Sequence, residues 1–115
     1  MVRYLKLSEV LLLLGLKGCA MTPQEIADEV NSTDSTIKLV LRSLFVEDCI
    51  SIAGKKWYLT LDGYRLIFDN FSTLIDDLPK NSPLKRKSPD SIYQKIIKNY
   101  KRDLIFSEIR KNRRK

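Results

Sequence analysis

Histidine is absent from this 115-residue chain, and cysteine occurs twice, as Cys19 and Cys49. Without an imidazole there is no ordinary general base near neutral pH, and two sulfurs alone make a poor zinc site. Glycine-rich phosphate loops and Gly-x-Ser-x-Gly are also missing. The paired acids Asp28-Glu29, Glu47-Asp48 and Asp76-Asp77 fall at predicted helix ends, where solvated charge is ordinary. No catalytic residue, cofactor or metal is therefore expected, and the chain does not read as an enzyme. The two cysteines read as small buried residues at helix ends rather than a redox pair. No run reaches the roughly 18 apolar residues of a membrane helix. The opening MVRYLKLSEVLLLLGLKGCA imitates a lipoprotein leader. Glu9 interrupts its apolar stretch, however, and Lys17 stands two before Cys19, where a small residue is wanted. An amphipathic first helix is the expectation.

Charge is present but uneven. Residues 1–78 hold 8 Lys/Arg against 11 Asp/Glu, and residues 79–115 hold 13 against 3. A mildly acidic body thus carries a strongly basic appendage, and phosphate-driven affinity is expected to come largely from the C-terminal third. The length allows one core, not two.

Thr22-Pro23-x-Glu25 combines an N-cap, a proline at the first helical position and a capping-box acid. Ile26, Ala27 and Val30 follow at helical spacing. Asn31-Ser32-Thr33 is a polar turn, and Thr33 can cap a second helix over 34–48 striped by Ile37, Val40, Leu41, Leu44 and Phe45. Leu5, Val10, Leu11, Leu13 and Leu14 would supply the shared core from a first helix. Ser51 to Ala53 and Trp57 to Leu59 alternate as strands about a Gly54-Lys55-Lys56 tip. Thr60 offers a cap for a helix from Leu61 that continues through Tyr64, Leu66, Ile67, Phe68, Phe71, Leu74 and Ile75.

Three segments carry a family resemblance: "TPQEIADEV", "STIKLVLRSLFVEDCI" and "WYLTLDGYRLI". Over residues of about 5 to 77 the chain resembles winged helix-turn-helix transcriptional regulators of the MarR, PadR or ArsR kind, and it is loosely similar to small archaeal-virus regulators. A strand running into Leu-Thr-x-x-Gly is the most specific element. The implied fold is mainly α with a small β-hairpin, a winged helix over 1–78. The implied function is sequence-specific binding of double-stranded DNA, with the 34–48 helix in the major groove. The setting would be the cytoplasm, or the host cytoplasm for a viral chain.

On that helix the face opposite the core stripe carries Asp34, Ser35, Thr36, Lys38, Leu39 and Arg42. The first turns read bases, so Ser35, Thr36, Lys38 and Leu39 are base candidates and Arg42 a phosphate candidate. Asp34 departs from the resembling group; it suits the helix start but repels phosphate. Lys55 and Lys56 at the wing tip fit backbone contact, equally a solvated turn. Tyr58 could touch sugar-phosphate from the strand face opposite Trp57.

Residues 79–90 (PKNSPLKRKSPD) read as a basic, proline-containing linker without a packed element. Residues 91–115 read as a basic amphipathic helix with a frayed end. Its Ile92, Ile96, Ile97, Tyr100 and Leu104 need a cover, either the body or a twin helix in a homodimer such as the resembling group forms. A pocket between body and last helix would match relatives that bind small effectors. Two other readings stay open: a winged helix used for protein–protein contact, and general nucleic-acid or membrane-surface binding through the basic third.

Overall fold

The computed structural model describes residues 6–113, with side-chain surroundings to Arg110; Leu5, expected in the core of the first helix, lies outside the described residues. The chain is mainly helical with one two-stranded antiparallel hairpin. Helix α1 spans Leu7–Lys17, α2 Pro23–Glu29 and α3 Asp34–Val46; strands β1 Ile50–Ala53 and β2 Lys56–Leu59 follow, then α4 Leu61–Asp69, α5 Phe71–Asp76, a 3-10 turn Pro83–Arg86 and α6 Pro89–Arg113.

The caps form where the sequence put them. Thr22 and Glu25 close a capping box, with both bonds present, and the Thr33 hydroxyl accepts from the Thr36 N–H. Asp48 ends α3 in the left-handed region (φ 60°), a conformation short acidic side chains tolerate. Strands β1 and β2 pair Ile50 with Leu59 and Ile52 with Trp57 across a two-residue Gly54-Lys55 connection, with Gly54 at φ 65°. Lys56, expected at the tip, instead opens β2. Met21 adds a further bridge to Trp57, with bonds of 2.8 and 2.7 Å. The Thr60 hydroxyl accepts from the Gly63 N–H at 3.0 Å and donates to the Asp48 carbonyl at 2.7 Å. A Cβ on Gly63 would come within 2.1 Å of the Cys49 carbonyl oxygen. The Leu-Thr-x-x-Gly pattern is therefore the joint that seats the start of α4 against the end of α3.

Helix α1 is the centre of the molecule. Ser8 through Leu16 are all buried, so it is covered all round rather than amphipathic. Lys6 and Lys17, eleven residues and about three turns apart, share one face. Both reach α2: Lys6 Nζ donates to the Val30 carbonyl at 3.0 Å, and Lys17 Nζ is 3.4 Å from Glu29. Gly15 is nine residues from Lys6, about two and a half turns, and so on the opposite face. There its backbone packs closely on Ile67 of α4 and Ile96 of α6, where a Cβ would meet them at 3.1 and 3.3 Å. The α2–turn–α3 unit and α6 thus flank α1 from opposite sides.

Four further expectations need correction. The 79–90 segment is packed: Leu84 and Ser82 are buried, because the Ser82 hydroxyl meets the interior carboxylate of Glu9. The helix after the hairpin breaks at Asn70, whose side-chain amide donates to the Leu66 carbonyl and competes with the backbone ladder. Phe45, placed in the core stripe of α3, is half exposed and turns its ring edge to Trp57 at 5.7 Å. Cys49 is buried but Cys19 is exposed, since it follows Gly18 at the left-handed end of α1 and leaves the helix outward.

Ile92 and Ile96 are buried within the single chain, so they belong to its core and are not a free dimer surface. Ile97 and Leu104 are partly covered, and Tyr100 packs on Phe68 and Tyr64 at ring separations of 5.2 and 5.6 Å. Asn99 donates to the Gly15 and Leu16 carbonyls at 2.9 and 3.1 Å, and the Arg102 guanidinium bonds the Gly18 carbonyl. Helix α6 thereby satisfies carbonyls that the end of α1 would otherwise leave open.

Candidate nucleic-acid interface

Four buried side chains, Ile37, Val40, Leu41 and Leu44, fix α3 against the body. Burying each stabilises the seat by about 1.5–3 kcal/mol. The remaining arc looks outward. Ser35, Thr36, Lys38, Leu39 and Arg42 are exposed, and Asp34 is partly covered. The face expected from periodicity is thus the exposed face, and it also carries Ser43 and Val46, which the sequence reading did not include. Leu39, Arg42, Ser43, Val46 and Glu47 line a shallow open depression along it.

Two features limit its basic character. Lys38 Nζ lies 3.0 Å from Asp34 Oδ2, one turn earlier, and both side chains are solvated. Thr36 is drawn into the cap, accepting from the Thr33 hydroxyl at 2.9 Å, with the Ser35 hydroxyl 3.3 Å from the same group. Arg42 has no ion pair among the described residues. Val46 is 78% exposed and Leu39 50%, which leaves an apolar margin on the same face.

The hairpin tip projects Lys55 and Lys56 into solvent. Lys56 and Tyr58 share the strand face opposite Trp57, and Tyr58 is exposed. Trp57 is partly buried against the core, as its pairing with Phe45 requires. The Met21 bridge anchors this hairpin beside the start of α2. Lys56 there helps hold the Glu25 carboxyl below its usual range, after the Thr22 backbone and hydroxyl bonds, which act more strongly.

A cleft of about 400 Å³ opens between β2 and the far half of α6. Tyr58, Leu59, Thr60 and Leu61 form one wall; Asp103, Phe106, Ser107 and Arg110 form the other. Beneath it, burial and then Asp103 raise the Tyr64 hydroxyl well above the ordinary tyrosine value, so it stays protonated. Burial likewise pushes the Cys49 thiol up, with Glu47, Asp48 and Asp62 adding to it, which disfavours the reactive thiolate. Among the described residues no three His, Cys, Asp or Glu side chains are grouped to hold a metal ion, and no helix is long and apolar enough to cross a membrane.

Compared with known proteins, the chain matches no family model, no curated protein and no solved structure.

Proposed function

We propose that the chain is a sequence-specific regulator that binds double-stranded DNA, a winged helix with α3 in the major groove and the hairpin tip on the flanking backbone. The observation that carries this reading is placement. Ser35, Lys38, Leu39 and Arg42 face outward from a helix seated on α1 and α2, and Lys55 and Lys56 project from a hairpin tied to the same unit. Lys38 reads guanine, Leu39 presses on a thymine methyl, and Arg42 with the wing lysines holds phosphate. In this reading the regulator is a homodimer whose contact is the far end of α6, where Ile105, Phe106 and Ile109 are exposed.

Enrichment from a random duplex pool tests it. A defined sequence should emerge, and Lys38→Ala should relax one or two base pairs at about 1–3 kcal/mol each. Lys55→Ala with Lys56→Ala should weaken every duplex alike and flatten the log–log salt slope by about two contacts at most. If Lys38→Ala also weakens every sequence alike, α3 does not read bases.

A second reading, a protein-contact module, is favoured by one observation: the outward arc joins exposed Leu39 and Val46 to a lysine already paired with Asp34. It requires that the pool yield no enriched sequence.

A further inference from the structure

The lysines of the first half of α6 and the outer face of α3 stand on different sides of the molecule. Lys6 and Lys17 tie one face of α1 to α2, while Gly15, on the other face, receives Ile96 of α6. On α6 itself, Lys98 follows buried Ile96 by two residues, a rotation of about 200°, and Lys101 follows by five, about 140°. Both therefore point away from α1, and away from the α2–α3 unit behind it. Lys95 lies on the flank of the same arc. Lys98, Lys101 and Lys95 are all exposed, as are Lys85, Arg86 and Lys87 in the segment that leads into α6. None of these six has a carboxylate within ion-pairing distance among the described residues. From Ser91 to Lys101 the outward arc carries Ser91 and Gln94 between the lysines, and exposed Ile105 stands on the same arc one turn further on.

The body spans 48 × 30 × 26 Å. Duplex DNA has a persistence length of about 150 base pairs, so a short duplex lying on α3 will not curl round a body of this thickness to reach α6. Lys95, Lys98 and Lys101, unpaired and on the far side, are thus left to engage phosphates of something else. We infer that the outward face of α6 with Lys85–Lys87 is a second, sequence-independent site for a phosphodiester backbone, and that one chain bridges two duplex segments. The inference rests on the proposed role of α3 for the first segment; the α6 face makes its own contribution through counterion release, independent of base sequence.

The experiment uses the full chain with two 20-base-pair duplexes, one immobilised and one fluorescent, at protein concentrations where sedimentation shows a single species. Wild type should carry the fluorescent duplex to the immobilised one, with capture rising and then falling as excess protein saturates each duplex separately. Lys95→Ala/Lys98→Ala/Lys101→Ala removes three exposed charges and keeps helix-favouring side chains. It should cut capture at least about tenfold at 150 mM salt, through a loss of nearly three from the salt slope of the second contact. Binding of the first duplex should stay within about threefold. Absence of capture by wild type that binds duplex overturns the inference, as does undiminished capture by the triple variant. So does binding of phosphatidylserine vesicles, lost in the triple variant, without duplex capture. If the triple variant loses all duplex binding while Lys38→Ala and Lys55→Ala/Lys56→Ala lose none, there is one site and it is on α6; bridging and the reading of α3 then both fall. If α3 reads a sequence but no second duplex is captured, only the bridging fails.

Discussion

Ser82 Oγ donates a 2.8 Å hydrogen bond to Glu9 Oε2, joining groups 73 residues apart in a region closed to solvent. Among the described residues the other carboxylate oxygen has no hydrogen bond of good geometry and relies on the Lys6 ammonium 3.0 Å away. Ser82 also accepts from the Leu84 N–H, so one hydroxyl fixes both the carboxylate and the turn that buries Leu84.

Ser82→Ala leaves a buried carboxylate oxygen without its hydrogen bond and should cost about 1–3 kcal/mol. Thermal unfolding should fall by roughly 4–8 °C for each kcal/mol in a domain near this size. Ser72→Ala, on the exposed side of α5, should melt within a degree or so of wild type. Equal melting of the two variants would show the Glu9 contact to be dispensable.

How much of this was legible in the sequence follows from the range of each interaction. Caps were legible because they are local: Thr22 with Glu25, Thr33 with Thr36 and Thr60 with Gly63 each act over three residues. The exposed arc of α3 was legible for the same reason, since helical period alone decides which residues cannot face the core. The packing of residues 79–90 was hidden. Prolines and lysines predict a linker, and nothing local announces that Glu9 and Ser82 will meet. The burial of Ile92 and Ile96 was equally hidden, because an amphipathic stripe states that a cover is needed and not which surface supplies it. The Lys38–Asp34 pair stood in plain view at i, i+4 spacing, but spacing alone does not decide whether the ammonium turns to the carboxylate or to solvent.

Glu25 supplies a pH prediction. The Thr22 backbone N–H, 2.9 Å from Glu25 Oε1, and then the Thr22 hydroxyl hold its carboxyl below the ordinary 4.5. The folded state thus favours the ionised form. The stabilisation is complete above the unfolded value and is lost as pH falls through the lowered folded value. The margin of wild type over Glu25→Gln in urea midpoint should be level near neutrality and shrink on acidification through roughly pH 5 to 3. A margin that stays level over that range would mean the capping box does not depend on the charge.

Asp34 supplies a prediction on the outward face of α3. It lies at the start of α3 and neutralises Lys38 at 3.0 Å. Asp34→Asn keeps the size and a capping-competent amide while freeing the ammonium for phosphate or guanine. If α3 lies on DNA, affinity for all duplexes should rise, and the log–log salt slope should steepen by about one contact. Titrating wild type and variant into the same random duplex across salt concentrations reads this directly. An unchanged slope would place Asp34 and Lys38 away from the nucleic acid.

The two halves of α6 give separate predictions for stability and for the proposed dimer. Ile96 is 0% exposed against Gly15 and the rest of the core, so Ile96→Glu buries an uncompensated charge and should unfold the chain rather than release monomers. Phe106 is 55% exposed and Ile105 60%, beyond the part of α6 that holds α1, so charges there cost the fold little. Ile105→Glu with Phe106→Glu should therefore leave thermal unfolding within about 0.5 kcal/mol of wild type. If the far end of α6 closes a homodimer, the same pair should convert dimers to monomers in sedimentation, and melting should lose its dependence on protein concentration. A chain ending at Leu78 is no substitute for this test, because it discards Leu84, Ile92 and Ile96 from the core along with the charge. That truncation should fail to unfold cooperatively, whatever its affinity for DNA. A wild type that is already monomeric at high concentration would remove the dimer and leave the exposed end of α6 without that role.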